Sequence, residues 1–211
     1  VVFALCVGLI PWLTDSGVVL NFVMMALYAC LLAQAWNVLG GFGGQFSFGH
    51  ALFFGVGAYV QVMAQVHAGW NPWLALPVAM LASAGVGAFV GAVSFRYGLK
   101  GAYFALVTLA VLPIGLRSGP LNPFRIKLGA IVLSGALMGA GGAFYAQVFQ
   151  YIDPGLAFGP HTSVEALVGA IVGGMGTLWG PVLGALALHV LADVTRNLVG
   201  QLPGINMVIY G

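Results

Sequence analysis

Asn37, Gln45, Ser47 and His50 are four neutral hydrogen-bonding side chains set close together in a run that is otherwise oily and glycine-rich. Ser47 and His50 stand three residues apart, close enough to share a helix face. A serine beside a histidine raises the chemistry of an activated nucleophile. That chemistry also needs a group to orient the imidazole, and no acid occurs between positions 16 and 152. The surrounding "GQFSFG" is not the GxSxG elbow of a serine hydrolase either. The histidines His50, His67, His161 and His189 are dispersed, without HExxH or paired ligand spacing. Catalysis and metal binding are therefore not expected. What neutral polar groups can do in an apolar setting is hydrogen-bond neighbouring helices, or line a route for a polar solute without trapping it in a strong ion pair. Both readings stand for Asn37, Gln45, Ser47 and His50.

Two further groups carry charge inside apolar runs. Glu165 lies well within one, where a carboxylate either pairs with a neighbour or serves a pathway. Asp193 and Arg196, three apart, read as a local ion pair near a helix end. Cys6 and Cys30 sit in apolar runs with no CxxC spacing and read as small buried hydrophobes.

The elements that must position these groups follow from composition. Of 211 residues, 61% are hydrophobic and 5% charged, so the chain cannot clothe itself in water. Its mean hydropathy of +1.06 points to a bilayer as the solvent. A net charge of +2 gives no reason to expect nucleic acid as a partner; membrane lipid is the expected surrounding. Apolar segments fall at about 1–13, 18–39, 51–66, 73–94, 101–116, 128–149, 162–175 and 181–199. Turns rich in glycine, proline or charge separate them: "TDSG", "HAGWNP", "RYGLK", "RSGPLNPFRIK", "YIDPG" and "GTLWGP". Runs apolar on every side are not barrel strands, so the fold expected is all-α: a polytopic transmembrane helical bundle of about 7–8 apolar segments, with broken or re-entrant helices. Trp12, Trp70, Trp73 and Trp179 lie by the segment boundaries, where indoles anchor to headgroups. The first run lacks a basic leader and a small-residue cleavage site, so it reads as a membrane segment whose start is missing.

Arg96, Lys100, Arg117, Arg125 and Lys127, five of the six basic residues, occupy positions 96–127, which the positive-inside tendency places in the cytoplasm. Lys100 and Arg125 should then share a side, yet a single apolar segment, 101–116, separates them. Either that segment is re-entrant or a span is absent at about 120/121. Packing is carried by small residues every four positions: Ser83, Gly87 and Gly91; Gly135, Gly139 and Ala143; Gly176, Gly180 and Gly184. "GGQFSFGHALFFG" (43–55) and "GGMGTLWGPVLG" (173–184) echo each other weakly, as the interrupted helices of transporter repeats do.

In order along the chain, "AWNVLGGFGGQFSFGHALFFGVGAYV", "RYGLKGAYFALVTLA", "NPFRIKLGAIVLSGALMGAGGAFYA" and "VEALVGAIVGGMGTLWGPVLGAL" resemble successive signature segments of the LivM-type permeases of branched-chain amino acid ABC importers (the LivH/LivM family). The resemblance runs from about Asn21 to Arg196. It implies one transmembrane permease domain over 1–211, in a bacterial inner (plasma) membrane. The expected partners are a LivH-like second permease subunit, two cytoplasmic ABC ATPase subunits and a periplasmic substrate-binding protein. On that resemblance the chain is no enzyme and holds no cofactor; ATP is used by the partner ATPases. The solute would be leucine, isoleucine or valine, with urea or short amides carried by relatives. A sugar carrier of the same architecture, and a secondary transporter or channel, are the other readings.

The resemblance also bears on the seam. Between "VTLAVLPIGLRSGP" and "LNPFRIK" the family has an external loop, one more span and a cytoplasmic loop that docks on the ATPase, so these are expected to be omitted at about 120/121. Asn122, Pro123, Phe124, Arg125 and Lys127 would then flank the ATPase-coupling loop, or else form a basic anchor. Asn37, Gln45, Ser47, His50 and Glu165 become the candidates for the translocation pathway. On this reading, His50→Ala or Gln45→Ala lowers transport without lowering assembly.

Overall fold

A computed structural model describes residues 16–96 and 123–200. Apart from turns these are helical: α1 is Gly17–Asn37, α2 His50–Ala68, α3 Pro72–Arg96, α4 Pro123–Phe149, α5 Pro154–Ala157, α6 Pro160–Gly173 and α7 Gly180–Gly200. The six apolar segments read within the described range each correspond to a long helix. The segments 1–13 and 101–116, the 120/121 seam, Trp12, Lys100, Arg117 and Asn122 lie outside the described residues.

Local chemistry sets the boundaries. Proline opens α3, α4, α5 and α6, where its missing N–H costs nothing and its fixed φ suits the first turn. The Asp153 carboxylate caps α5 by accepting the Leu156 N–H at 3.1 Å. Gly69, at φ 62°, ends α2 in the left-handed conformation that a glycine adopts without strain. Among the described residues, Gly17–Phe42, His50–Ala68, Pro72–Ser94, Phe124–Phe149 and Pro154–Gly173 are long and apolar enough to cross a membrane, and Gly180–Thr195 is shorter.

The helices alternate in direction. α3 runs antiparallel to α4, since Gly87 faces Ile131 while Gly139 faces Ser83 and Ala79. α2 runs parallel to α4, with His50 bonded to Ser134 and Gln65 to Gln147. α1 is antiparallel to α7, Cys30 lying by Val182 and Phe22 by His189. α1, α3 and α6 thus point one way and α2, α4 and α7 the other. α3 therefore ends, and α4 begins, at the same end of the bundle, here called the basic end because Arg125 and Lys127 belong to it.

The core is small-residue packing around a few large side chains. Leu32, Trp36, Leu39, Phe53, Phe54, Ile131 and Met138 form its main cluster. Backbones approach closely at glycine: a Cβ on Gly57 would run into the Gly139 backbone, and one on Gly142 into Phe54 O. Gly87 and Gly135 allow the α3–α4 contact, where a Cβ would stand 3.0 Å from Ile131 O and 3.1 Å from Ser83 O respectively. Gly91 is buried on α3, and Gly184 meets the backbone of Gly169 and Gly173. Such approaches supply the van der Waals contact that holds helices together where lipid offers no hydrophobic gain.

Candidate translocation site at two helix breaks

At the basic end α1 does not stop cleanly. Its last turn widens into a π-helical turn, Val38–Phe42, and the Gly43 N–H bonds Val38 O at 3.0 Å. π-turns inside helices recur at functional sites. Glycines make this one possible: the Trp36 ring covers Gly40, and the Asn37 side chain fills the space a Cβ on Gly41 would need. The chain then passes through Gly44, at φ 61°, and restarts at His50.

A second break lies beside the first. α6 ends at Gly173, the chain passes through Gly174 (φ 103°) and Gly176 (φ 77°), and α7 starts at Gly180. The faint sequence echo has a physical content. Each break has a positive-φ glycine at the second position of its glycine pair, Gly44 and Gly174. Each has a hydroxyl three residues beyond, which accepts an N–H at the start of the next helix. Ser47 Oγ accepts from Gly49 N–H at 3.2 Å, and Thr177 Oγ1 from Gly180 N–H at 3.0 Å.

Asn37 joins the two. It is fully buried; its Oδ1 accepts the Gly176 N–H at 2.9 Å, and its Nδ2 donates to Thr177 O at 2.9 Å and to Gln34 Oε1 at 3.3 Å. Gln34 Nε2 donates to Leu178 O. Trp36, one residue earlier, donates its indole N–H to Ser47 O at 2.9 Å.

His50, also fully buried, opens α2 at the first break, its ring tilted 43° to Trp36 at 6.3 Å and edge-on to Phe53 at 5.7 Å. It bonds Ser134 Oγ on α4, and Ser134 in turn donates to Ala35 O on α1 at 2.6 Å. The next residue, Ala51, donates its N–H to Ser163 Oγ on α6 at 2.7 Å. Four helices are therefore pinned around the start of α2. Gln45 and Ser47 are only half-buried, and Phe46 and Phe48 between and beyond them are exposed.

The structure thus brings Asn37, Gln45, Ser47 and His50 into one place, with Asn37 and His50 behind Gln45 and Ser47. Glu165 is apart from them, exposed on α6 between exposed Val164 and Val168, within electrostatic reach of Tyr28 and Tyr145. Of the coupling flank, Phe124 and Arg125 are exposed and Lys127 half-buried at the start of α4. Gly176 and Gly180 belong to the second break itself, and a Cβ on Gly180 would strike Gly174 O and Thr177 Oγ1. Among the described residues no three of His, Cys, Asp and Glu gather as metal ligands.

Sequence reading missed Trp36, Gln34, Ser134, Ser163 and Thr177. Ser134 is a single hydroxyl in an apolar helix with nothing around it in sequence to mark it, and Ser163, beside Thr162 and between His161 and Glu165, gave no sign of its partner on α2. Thr177 was visible only as half of the echo.

A family model described as a branched-chain amino acid transport system permease component matches residues 18–117 and 113–211. The high-affinity branched-chain amino acid transport system permease protein LivM of Salmonella typhimurium is 32% identical over 99 residues, which are 47% of this chain and 23% of that relative. The chain thus matches less than a quarter of the relative's length. No solved structure matches. With both halves matched and a bundle of apolar helices to carry the match, the chain belongs to the family of branched-chain amino acid transport system permease components.

Proposed function

We propose that this chain is a membrane-spanning subunit of an ATP-driven importer for branched-chain amino acids, and that it forms part of the solute path by alternating access. The observation that carries the reading is the meeting of two helix breaks at one end of the bundle, with neutral hydrogen-bonding groups and no charge in either break. Broken helices expose backbone polar groups only where protein or water can satisfy them, and in transporters they gather where solute passes. Gln45 and Ser47, half-buried at the first break, are its proposed lining; Asn37 and His50 hold that lining in place, and Glu165, apart from them on the exposed face of α6, is a separate candidate for the path.

On this reading the basic end is cytoplasmic in a bacterial inner membrane. A LivH-like permease subunit completes the path. Two ATPase subunits engage the basic end near Phe124, Arg125 and Lys127, and a periplasmic binding protein delivers leucine, isoleucine or valine. Closure of the ATPase pair would rock the permease subunits about the shared path, a rigid-body change. The chain is then a transport subunit, and ATP is bound and hydrolysed by its partners.

The test is uptake of radiolabelled leucine into vesicles holding the full-length protein with these partners. Uptake should require both ATP and the binding protein; uptake driven by an ion gradient alone would make the chain a secondary transporter. Competition by urea and ribose at the binding protein separates the amide and sugar readings from the amino acid one.

A further inference from the structure

Adjacent residues Trp36 and Asn37 reach equivalent carbonyls in the two breaks. Trp36 Nε1 donates to Ser47 O and Asn37 Nδ2 to Thr177 O, each at 2.9 Å. Ser47 and Thr177 are the matching hydroxyl residues, each of which also receives an N–H from the start of its following helix. One peptide unit of α1 therefore holds both restarts, α2 with one side chain and α7 with the other.

The two grips differ in what surrounds them. The first lies inside a single connection, α1 to α2, and is backed by Phe53, Leu39 and the His50–Ser134 pair. The second crosses to a separate helix pair and rests on hydrogen bonds to backbone. Asn37 bonds Gly176 and Thr177, Gln34 bonds Leu178, and Gly41 lies so near that a Cβ on it would stand 2.5 Å from Gly176 N. The apolar residues of the second break do not seal it: Leu178 and Trp179 are 67% and 53% exposed. A seam held by a few hydrogen bonds, with little apolar burial, opens at lower cost than the packed helices on either side.

Asn37 has no donor to spare in this arrangement. Both amide hydrogens are used, on Thr177 O and Gln34 Oε1, and its oxygen holds Gly176 N–H. That suits a positioning residue better than a solute ligand.

We infer that Trp36 and Asn37 form the fixed half of a gate at the basic end, and that the Asn37 side of it, against Gly176, Thr177 and Leu178, is the seam that parts to release solute. Trp36 keeps the first break docked while the Gly174–Trp179 segment moves off Asn37, with α6 and α7 still packed on α1 through Cys30, Ala33, Gly169 and Ala185. The inference rests on the transport reading for its role, and on the hydrogen bonds for its location.

Two experiments on the full-length protein with its partner subunits test it, in a background with Cys6→Ser and Cys30→Ser. In the first, Gln34→Cys and Leu178→Cys are joined by a short bifunctional thiosulfonate reagent. Leucine uptake should fall about tenfold on cross-linking and return with dithiothreitol, which shows the same molecules to be folded. Uptake that continues at the uncross-linked rate would mean that the seam does not part.

The second needs no solute, so it stands even if leucine is not what the protein carries. Ala33→Cys, at a buried position one turn before Asn37 against Gly169 and Ala185, is labelled with a membrane-impermeant maleimide from the basic end, with Ala79→Cys, fully buried on α3, as control. Asn37→Ala should speed labelling at 33 about fivefold and leave 79 unchanged. Equal rates at 33 with and without Asn37, or a rise at both positions, would overturn the gate. Absence of leucine uptake in the parent protein, with the labelling pattern as expected, would instead remove the amino acid reading and leave the gate.

Discussion

His50 Nε2 stands 2.8 Å from Ser134 Oγ, and the hydrogen bond runs from the imidazole to the hydroxyl. The direction follows from the next link: Ser134 has one proton and spends it on Ala35 O, a group that can only accept. His50 therefore carries its proton on Nε2, and its Nδ1, which has no hydrogen-bond partner, presents a lone pair in the buried core. Imidazole, hydroxyl and carbonyl tie α2, α4 and α1 in one chain of bonds.

This arrangement revises the expectation that His50→Ala would spare assembly. The alanine loses an interhelical hydrogen bond, worth about 0.6–1.7 kcal/mol in a membrane bundle, and leaves a cavity against Trp36 and Phe53. Together these should cost about 2–4 kcal/mol in a detergent unfolding titration. His50→Gln, whose amide N–H falls near the Nε2 position, should recover most of the loss. Equal stability of the alanine variant and the parent would show that the bond chain is not part of what holds the helices together.

How much of this was legible beforehand depends on the kind of signal. Six of the seven described helices, all but the four-residue α5, were readable because each is an apolar run bounded by proline, glycine or charge, and lipid leaves a backbone few alternatives. The cluster of Asn37, Gln45, Ser47 and His50 was readable because polar groups are scarce. Its partners were not: Ser134 and Ser163 pair across 84 and 112 residues of sequence. Gly57 escaped notice for a related reason. It has no small residue four positions away, with Phe53 and Gln61 there instead, so no stripe pointed to it. Its role is visible only against Gly139.

Gly57 and Gly85 make a matched pair for the packing argument. Gly57→Ala forces a methyl onto the Gly139 backbone and should destabilise the bundle by about 1–3 kcal/mol. Gly85, on α3, has open space where its Cβ would be, so Gly85→Ala should be neutral or stabilising by up to about 1 kcal/mol through helix propensity alone. Similar losses in both would show that glycine matters here for its backbone freedom rather than for close approach.

The caps at the two breaks should differ in strength. Thr177 Oγ1 accepts the Gly180 N–H at 3.0 Å and donates to Gly174 O at 2.9 Å, closing the second break on itself. Thr177→Val keeps the shape and removes both bonds, at about 0.5–2 kcal/mol, while Thr177→Ser should behave as the parent. Ser47 makes the longer bond, 3.2 Å, to the N–H of exposed Gly49, so Ser47→Ala should cost less than Thr177→Val. Unfolding titrations of the three variants check the order; a larger loss at Ser47 would place the more strongly held restart at α2.

Glu165 poses the opposite problem to His50, a charged group that the described residues do not cover. It lies within a span long enough to cross the membrane, on a face it shares with exposed His161, Val164 and Val168. A carboxylate does not rest against hydrocarbon without a partner or water, so this face of α6 should be wet or covered by protein in the assembled transporter. If the path runs along it, Glu165→Cys in the assembled complex should react with a membrane-impermeant thiosulfonate, and leucine should slow that reaction. Glu165→Gln, which keeps the size and hydrogen-bonding capacity, should reduce uptake less than Glu165→Leu does. A cysteine at 165 that stays unreactive, while Glu165→Leu transports at the parental rate, would take Glu165 out of the path and assign this face of α6 to contact with another subunit.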